Sequence, residues 1–221
     1  TAQRLSAFVE NGGILVTTYL TGYVNETDLC FLGGFPGPLR ELLGVRIEEI
    51  DALPAYRTVS VTATADHRLG LSGTWTARDI CELLHAESAE VLATYAGEFY
   101  AGMPAVTRKA TGRGVAYHLA ARLGHDFHSL FAATLLRDAG ITLPFAAPLP
   151  TGVTAQTRTA ADGRRWLFLM NFNETAVTVA GAGGAWRDVE SSAAMPATIE
   201  LPACAARIYS APATNQKNTT P

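Results

Sequence analysis

The sequence predicts an α/β domain followed by a small, all-β antiparallel domain. Residues 1–10 have a helical pattern that passes through a glycine turn into an apolar, β-branched segment, as in an α/β unit. A proline-punctuated segment, Leu143–Pro150, then marks a domain boundary. Beyond it no helical period is present, and short apolar segments between turn residues predict strands.

The first elements form a helix, a tight turn and a strand. The helix Thr1–Glu10 ends at Asn11-Gly12-Gly13, which supplies a left-handed C-cap. Ile14–Leu20 follows as a continuous apolar segment, and such a segment predicts a parallel strand buried on both faces. Since the helical pattern starts at once and without a methionine, we expect a fragment whose N-terminus lies upstream.

The middle of the chain is predicted to be rich in β-strands. A short helix, Leu39–Leu43, ends at Gly44. The apolar patterns then predict five strands, which are Val45–Ile50, residues 59–63, Ala89–Tyr95, Ala105–Lys109 and Gly114–Leu119. His125–Ala139 has the i, i+3, i+4, i+7 spacing of an amphipathic helix, with Asp126 as the expected N-cap.

The segment after Pro150 is predicted to be a small antiparallel sandwich or barrel. Asp162-Gly163 is a hairpin turn between two of its strands. The expected strands are Val153–Thr159, Arg165–Asn171, Thr175–Ala180, Ala197–Leu201 and Ala205–Ser210. From Ala213 the sequence is polar, and we expect that tail to be disordered.

Composition limits the classes of partner. The net charge is −3, charged residues make up 17% of the chain, and the arginines are scattered, so we expect no nucleic-acid partner. No apolar segment approaches the roughly 20 residues that span a bilayer, and no signal peptide is visible. Three cysteines, Cys30, Cys81 and Cys204, are far apart and odd in number, which favours a reducing compartment over a disulfide framework.

The chain contains a distinctive Gly-Gly-Phe-Pro-Gly-Pro-Leu-Arg element at 33–40. It also contains, in order along the chain, the segments Phe8–Tyr19, Ala89–Tyr95, Phe99–Gly102 and Pro104–Arg108. Together these segments resemble the C-terminal part of bacterial β-galactosidases of glycoside hydrolase family 42, and the similarity extends over residues 1 to about 145. The region after Pro150 looks like the family's C-terminal domain, with weaker motifs.

The resemblance implies a three-domain, cytoplasmic bacterial parent that hydrolyses terminal β-D-galactosyl groups with retention. Its barrel would bind the galactoside and carry both catalytic glutamates, outside this chain. Residues 1–145 would be a flavodoxin-like domain, similar to class I glutamine amidotransferases, that joins subunits into a homotrimer and here lacks its first strand. Residues 146–212 would be the C-terminal β-domain, and 213–221 a disordered tail.

The residues themselves give little support for chemistry in this chain. Glu48, Glu49 and Asp51 form its densest acidic cluster, but a retaining glycosidase needs two carboxyl groups about 5 Å apart on a rigid frame, and no second element supplies one. The position of an amidotransferase nucleophile, after the strand at Thr18-Tyr19-Leu20, has no cysteine. His125 and His128 lack a third metal ligand. We therefore expect no catalytic, cofactor or metal site.

Two kinds of interaction surface are candidates. The rigid apolar loop with Phe31, Leu32, Phe35 and Pro36 is a candidate oligomer interface, because such a loop loses little entropy on docking. The alternative is a carbohydrate-binding β-module in which aromatic rings stack on sugar, the candidates being Trp166, Trp186 and Tyr209. A free-standing amidotransferase-like enzyme is a third hypothesis, disfavoured by the missing cysteine.

Overall fold

The computed structural model describes residues 1–64, 71–145, 147–182 and 184–213. The predicted tail, apart from Ala213, lies outside these residues. The chain divides into two compact units, the first being Thr1–Gly140 and the second beginning at Ile141. In the described parts of the chain, no helix combines the length and the apolar character needed to span a membrane.

The first unit contains three helices and eight strands in its described residues. The helices are α1 (Ala2–Glu10), α2 (Arg40–Leu43, preceded by a 3-10 turn at Gly37–Leu39) and α3 (His125–Asp138). The strands are β1 (Ile14–Thr18), β2 (Val45–Ala52), β3 (Val59–Ala63), β4 (Thr74–Ala86), β5 (Glu90–Tyr95), β6 (Pro104–Thr111), β7 (Gly114–Leu119) and β8 (Ala121–Leu123).

These strands form one mixed sheet in the order β1-β7-β6-β5-β3-β4-β2, with β8 paired to β4. Strand β1 is parallel to β7, and the other pairs are antiparallel. The predicted flavodoxin-like, amidotransferase-like α/β fold is therefore wrong. Parallel neighbours need a crossover of a dozen or more residues, whereas only Gly112 and Arg113 separate β6 from β7, which makes a hairpin.

Strand β4 is the longest in the sheet, and the sequence did not predict it. Its first residues alternate between exposed and buried, but positions 81–84 are all buried, including the charged Glu82. Between these parts Asp79 has a φ of 63°, and the register with β8 shifts there. Because the pattern changes within the strand and a charge interrupts its apolar part, no single period identifies it.

Helix α3 packs aromatic rings onto the core of the first unit. Phe127 and Phe131 are stacked, with ring centroids 5.4 Å apart, and each meets a sheet residue edge-on, Trp75 and Tyr117 respectively. The helix begins at His125 with Gly124 as its N-cap, so the predicted cap at Asp126 is wrong. Asp126 lies in the first turn, where its charge favours the helix dipole.

The described residues of the second unit form two small antiparallel sheets. The strands are β9 (Val153–Thr159), β10 (Arg165–Asn171), β11 (Val177–Ala180), β12 (Arg187–Asp188), β13 (Thr198–Leu201) and β14 (Ala206–Ala211). One sheet has the order β12-β14-β10-β9, and the other pairs β11 with β13. Leu167, Leu169 and Leu201 are fully buried in a core of their own. Buried Asn171 donates to Thr175 O at 2.9 Å and so joins β10 to the following turn.

Candidate subunit-association surface

The segment of residues 19–36, called here the 19–36 loop, carries an unusual density of exposed apolar side chains. Leu32 is fully exposed and Leu29 is 65% exposed, and Leu20 and Val24 are close to half exposed. Exposed apolar side chains concentrated in one segment are typical of a site of interaction. A groove of about 590 Å³ lies under the loop, lined by Leu5 of α1 and by loop residues.

The loop is ordered by its own hydrogen bonds. The Asn25 side-chain oxygen accepts from the backbone N–H groups of Thr27 (2.9 Å) and Leu29 (3.1 Å). Asn25 N–H donates to Leu29 O at 2.9 Å, and Phe31 N–H donates to Tyr23 O at 3.0 Å. These bonds make a small hairpin that presents its leucines in a fixed shape, so docking would order few additional residues.

The four residues predicted as an interface have different places in this loop. Leu32 points fully into solvent, whereas Phe31 and Phe35 are half-buried and Pro36 is buried. The Phe35 ring stacks on Tyr23 with centroids 4.0 Å apart, and its carbonyl accepts from Ile47 N–H of β2 at 2.8 Å. Phe35 and Pro36 therefore hold the loop in place, and Leu32 is the residue free to contact a partner.

A buried polar network anchors the start of the loop. Glu82 of β4 and His118 of β7 are buried completely, and Nε2 of the imidazole lies 2.8 Å from Oε2 of the carboxylate. Nδ1 of His118 lies 2.9 Å from the hydroxyl of Thr17 on β1. The other carboxylate oxygen accepts from Leu20 N–H at 2.8 Å, where the backbone turns with a φ of 64°. The network thus fixes three strands and the first turn of the loop.

The Glu82 carboxylate also affects the pKa of Tyr23, an aromatic residue of the 19–36 loop. Burial, together with the negative charge of Glu82, raises the pKa of Tyr23 well above its ordinary value, so the phenol stays neutral under the stacked Phe35 ring. Thr17, His118 and Glu82 have the residue types of a nucleophile, base and orienting acid. However, Thr17 is only 7% exposed, and a substrate could not reach its hydroxyl. The arrangement is suited to positioning rather than to catalysis.

The acidic cluster on β2 is divided among separate partners. Glu48 on β2 pairs with His85 on the neighbouring strand β4. The hydrogen bond from His85 and the charge of His85 lower the pKa of the Glu48 carboxyl group. Asp51 accepts a hydrogen bond from the Tyr100 hydroxyl at 2.8 Å. Glu49 is exposed. In this arrangement Glu48 and Asp51 are bonded to a histidine and a tyrosine, respectively, rather than set across a cleft from one another.

The three cysteines and the histidines of α3 lie in surroundings that do not point to catalysis. Cys81 is buried in β4, and burial raises the pKa of its thiol to about 11. Cys30 and Cys204 are exposed free thiols. His125 lies 3.2 Å from the Ser129 hydroxyl on the exposed side of α3. Among the described residues, no three His, Cys, Asp or Glu side chains are grouped as a metal site would require.

The three aromatic residues considered for sugar stacking do not form one platform. Trp186 and Tyr209 are buried in the core of the second unit, and Trp166 is half-buried. The Arg164 guanidinium lies over the Trp166 ring, 5.4 Å from its centroid. A cleft of about 280 Å³ beside this ring is lined also by Arg187 and Asp188.

Comparison with known proteins assigns the first unit to a family. Residues 1–142 match the family described as the β-galactosidase trimerisation domain. The chain belongs to this family. The resemblance to family 42 β-galactosidases is thereby confirmed, and the trimerisation domain contains both the 19–36 loop and the network at its base.

Curated relatives of the trimerisation domain and of the residues that follow it are β-galactosidases. Over 214 residues the chain is 44% identical to β-galactosidase BglY of Alicyclobacillus acidocaldarius, a match that covers 97% of this chain and 31% of that protein. It is also 44% identical over 177 residues to β-galactosidase Pbg of Clostridium perfringens, covering 80% of this chain and 26% of that protein. The chain therefore spans about a third or less of these relatives.

Solved structures support the mixed, strand-rich fold. The cold-adapted β-galactosidase from Rahnella sp. R3 superposes with a TM-score of 0.82 at 43% identity, covering 95% of this chain and 30% of that one. The β-galactosidase from Bacillus circulans sp. alkalophilus gives 0.85 at 34% identity, with the same coverage. Both similarities extend over most of the two units, so the correction of the predicted fold does not rest on this chain alone.

Proposed function

We propose that this chain is the subunit-association and C-terminal part of a cytoplasmic bacterial β-galactosidase, and that it holds three copies of the enzyme together. Residues 1–145 serve association, and residues 146–212 form the C-terminal β-domain. The observation that carries the proposal is the ordered 19–36 loop with Leu32 fully exposed, within a region that matches a trimerisation domain. The three unpaired cysteines support a reducing compartment.

The physical argument for the loop is that its apolar side chains gain from leaving water. Leu29 and Leu32 each contribute about 1.5–3 kcal/mol on full burial, and the loop's internal hydrogen bonds limit the entropy lost on docking. Side chains that are fully buried at the centre of an interface contribute more to its affinity than those at its rim. Phe35 and Pro36 act indirectly because they fix the loop on β2.

The test is the mass in solution of the β-galactosidase that carries this chain. Leu32→Asp places a charge at the centre of the proposed contact, and since the side chain is fully exposed in the separate subunit, the fold should be unaffected. We expect light scattering to show subunits instead of trimers. Val189→Asp, at an exposed apolar residue of the second unit, is the matched control and should leave the trimer intact. A Leu32→Asp trimer would remove the loop from the interface.

We further propose that the intact enzyme hydrolyses terminal β-D-galactosyl groups with retention, using two glutamates on polypeptide outside this chain. The acidic cluster on β2 supports this division, because two of its three carboxylates, Glu48 and Asp51, are bonded to His85 and Tyr100. The 221-residue chain should show no turnover of nitrophenyl galactoside, whereas the intact enzyme should. Activity of the isolated chain at more than trace level would contradict the proposal.

A second candidate function is weak sugar binding by the β-domain. The observation that favours it is the cleft beside Trp166, where a half-exposed indole lies among the polar side chains of Arg164, Arg187 and Asp188. Titrating galactose while following tryptophan fluorescence tests it, with Trp166→Phe as the variant that should abolish the signal. A fluorescence signal that does not saturate would exclude this site.

A further inference from the structure

Two aromatic side chains lie exposed on neighbouring loops of the first unit, away from the 19–36 loop. Tyr56, between β2 and β3, is 87% exposed, and Phe99, between β5 and β6, is 80% exposed. Rings of this size gain substantially from burial, and two of them are exposed here on loops that the ion pair between Arg57 and Glu98 joins. We call Tyr56 and Phe99 the aromatic pair.

The two loops are held together by specific contacts. The residue after Tyr56, Arg57, forms an ion pair with Glu98, the residue before Phe99. The Phe99 ring packs edge-on against Tyr100, with centroids 5.0 Å apart, and the Tyr100 hydroxyl is bonded to Asp51 at the end of β2. Since Arg57 and Glu98 neutralise each other, the aromatic pair presents an apolar surface on a fixed base.

The aromatic pair and the 19–36 loop lie towards opposite ends of β2. The loop is bonded to the beginning of the strand at Ile47, whereas the loops of the aromatic pair are attached at its end, through Asp51. Three residues of strand lie between Ile47 and Asp51, and the two points are about 13 Å apart. They are therefore two separate apolar surfaces of the first unit.

A cyclic trimer requires two such surfaces on every copy. In a two-fold dimer one surface meets itself, but in a ring of three each contact is heterologous, so that one surface of a copy meets a different surface of the next. A standard interface buries about 800 Å² per partner. Two exposed aromatic rings provide about 300–400 Å² of that, roughly half of one side.

We propose that the aromatic pair is the surface on which the 19–36 loop of the neighbouring copy docks, with Leu32 packed against Tyr56 and Phe99. The inference rests on the proposed role of the loop in association and adds the partner surface to it. Each copy then supplies a loop to one neighbour and an aromatic pair to the other, and three such contacts close the ring.

The experiment compares two variants of the β-galactosidase that carries this chain, alone and mixed. One is Leu32→Asp, which removes the loop surface, and the other is the double variant Tyr56→Ser/Phe99→Ser, which removes the aromatic pair. Each alone should be monomeric, because a buried charge in place of Leu32 and the loss of two aromatic anchors should each weaken association by at least about 100-fold. Phe172→Ser, at an exposed aromatic residue of the second unit, is the control and should remain trimeric.

Mixing the variants decides whether the two surfaces meet. The Leu32→Asp copy retains its aromatic pair and the double variant retains its loop, so one intact contact is possible between them and none within either. Native mass spectrometry should detect one-to-one heterodimers and no trimers. A misfolded variant could not complement in this way, so the mixture also controls for folding.

The outcomes separate this inference from the proposed function. If Leu32→Asp remains trimeric, the role of the loop in association fails. If Leu32→Asp dissociates but the double variant remains trimeric, only the docking of the loop on the aromatic pair fails. A mixture that stays monomeric would also overturn the inference, because the retained surfaces would then not recognise one another.

Discussion

The buried pair of Glu82 and His118 allows a quantitative test of how the loop is anchored. Replacing His118 by Leu removes the imidazole and leaves the carboxylate buried beside an apolar group. Breaking a buried pair by removing one partner costs about 3–5 kcal/mol, since the remaining charge is uncompensated. Both side chains are completely shielded from solvent, so we expect His118→Leu to destabilise the first unit by that amount.

The informative comparison is a second change, Glu82→Gln, made with and without His118→Leu. In the native protein this change exchanges charged for neutral hydrogen bonds to His118 and to Leu20 N–H, and should cost about 1–2 kcal/mol. Combined with His118→Leu it removes the uncompensated charge, while the amide oxygen still accepts from Leu20. The same substitution should then restore about 1–3 kcal/mol.

Urea unfolding followed by hydrogen exchange provides the assay. Peptides from β4 and β7 report on the first unit separately from the second, so that each change in stability is assigned to the right unit. The expected result is that Glu82→Gln destabilises the native protein and stabilises the His118→Leu variant. Equal effects in both backgrounds, or a cost below about 1 kcal/mol for His118→Leu, would refute the reasoning.

Three further predictions concern single sites. Gly44 has a φ of 67°, and an added Cβ would lie 2.7 Å from a serine hydroxyl. Gly44→Ala should therefore lower the free energy of unfolding by about 1–2 kcal/mol or more. The control, Gly97→Ala, adds a Cβ in open space and should change the free energy of unfolding little. The pairing with His85 lowers the pKa of Glu48. The stabilisation from this pairing is therefore present above the ordinary carboxyl pKa and is lost as the pH falls through the lowered pKa. In an NMR titration, His85→Ala should return the pKa of Glu48 to its usual range. Cys81, buried and with a raised pKa, should react with a thiol reagent only after unfolding, and rapid labelling of all three thiols in the native chain would contradict this.

Local elements were predictable from the sequence where glycines and regular periods mark them. The C-cap after α1 and the stop of α2 at Gly44 both follow from short-range geometry. The parallel character of β1 was also predicted and is confirmed by its pairing with β7. Its expected burial on both faces is wrong, because Val16 is 38% exposed.

The fold class and the anchoring network could not be predicted because both depend on β4. That strand contains Asp79 and the buried Glu82 among apolar residues, so its pattern fits neither an alternating strand nor an apolar segment. Without β4, strands β2 and β8 have no partner in the sheet. The residue that pairs with the buried His118, Glu82, is then missing as well. Nothing in the sequence around Glu82 indicates that its carboxylate lies beside the imidazole of His118, 36 residues further along the chain.

The candidate surface was predicted in position but not in detail. The rigidity of the glycine- and proline-rich segment indicated Phe31, Leu32, Phe35 and Pro36, but periodicity cannot tell which side chains of a loop face solvent. The structure separates the exposed Leu32 from the buried Pro36. The additional exposed residue Leu29 lies in a polar stretch, where a single leucine carries no signal of its own.

The most direct test of the central claim, that the 19–36 loop is buried between subunits, uses a thiol already present. Cys30 lies in this loop and is exposed in the single chain, as is Cys204 in the second unit, which serves as the internal control. Thiol labelling resolved by peptide mass should show Cys30 protected in the assembled β-galactosidase and reactive after Leu32→Asp, with Cys204 unchanged. Equal labelling of Cys30 in the assembled and the dissociated protein would contradict the account.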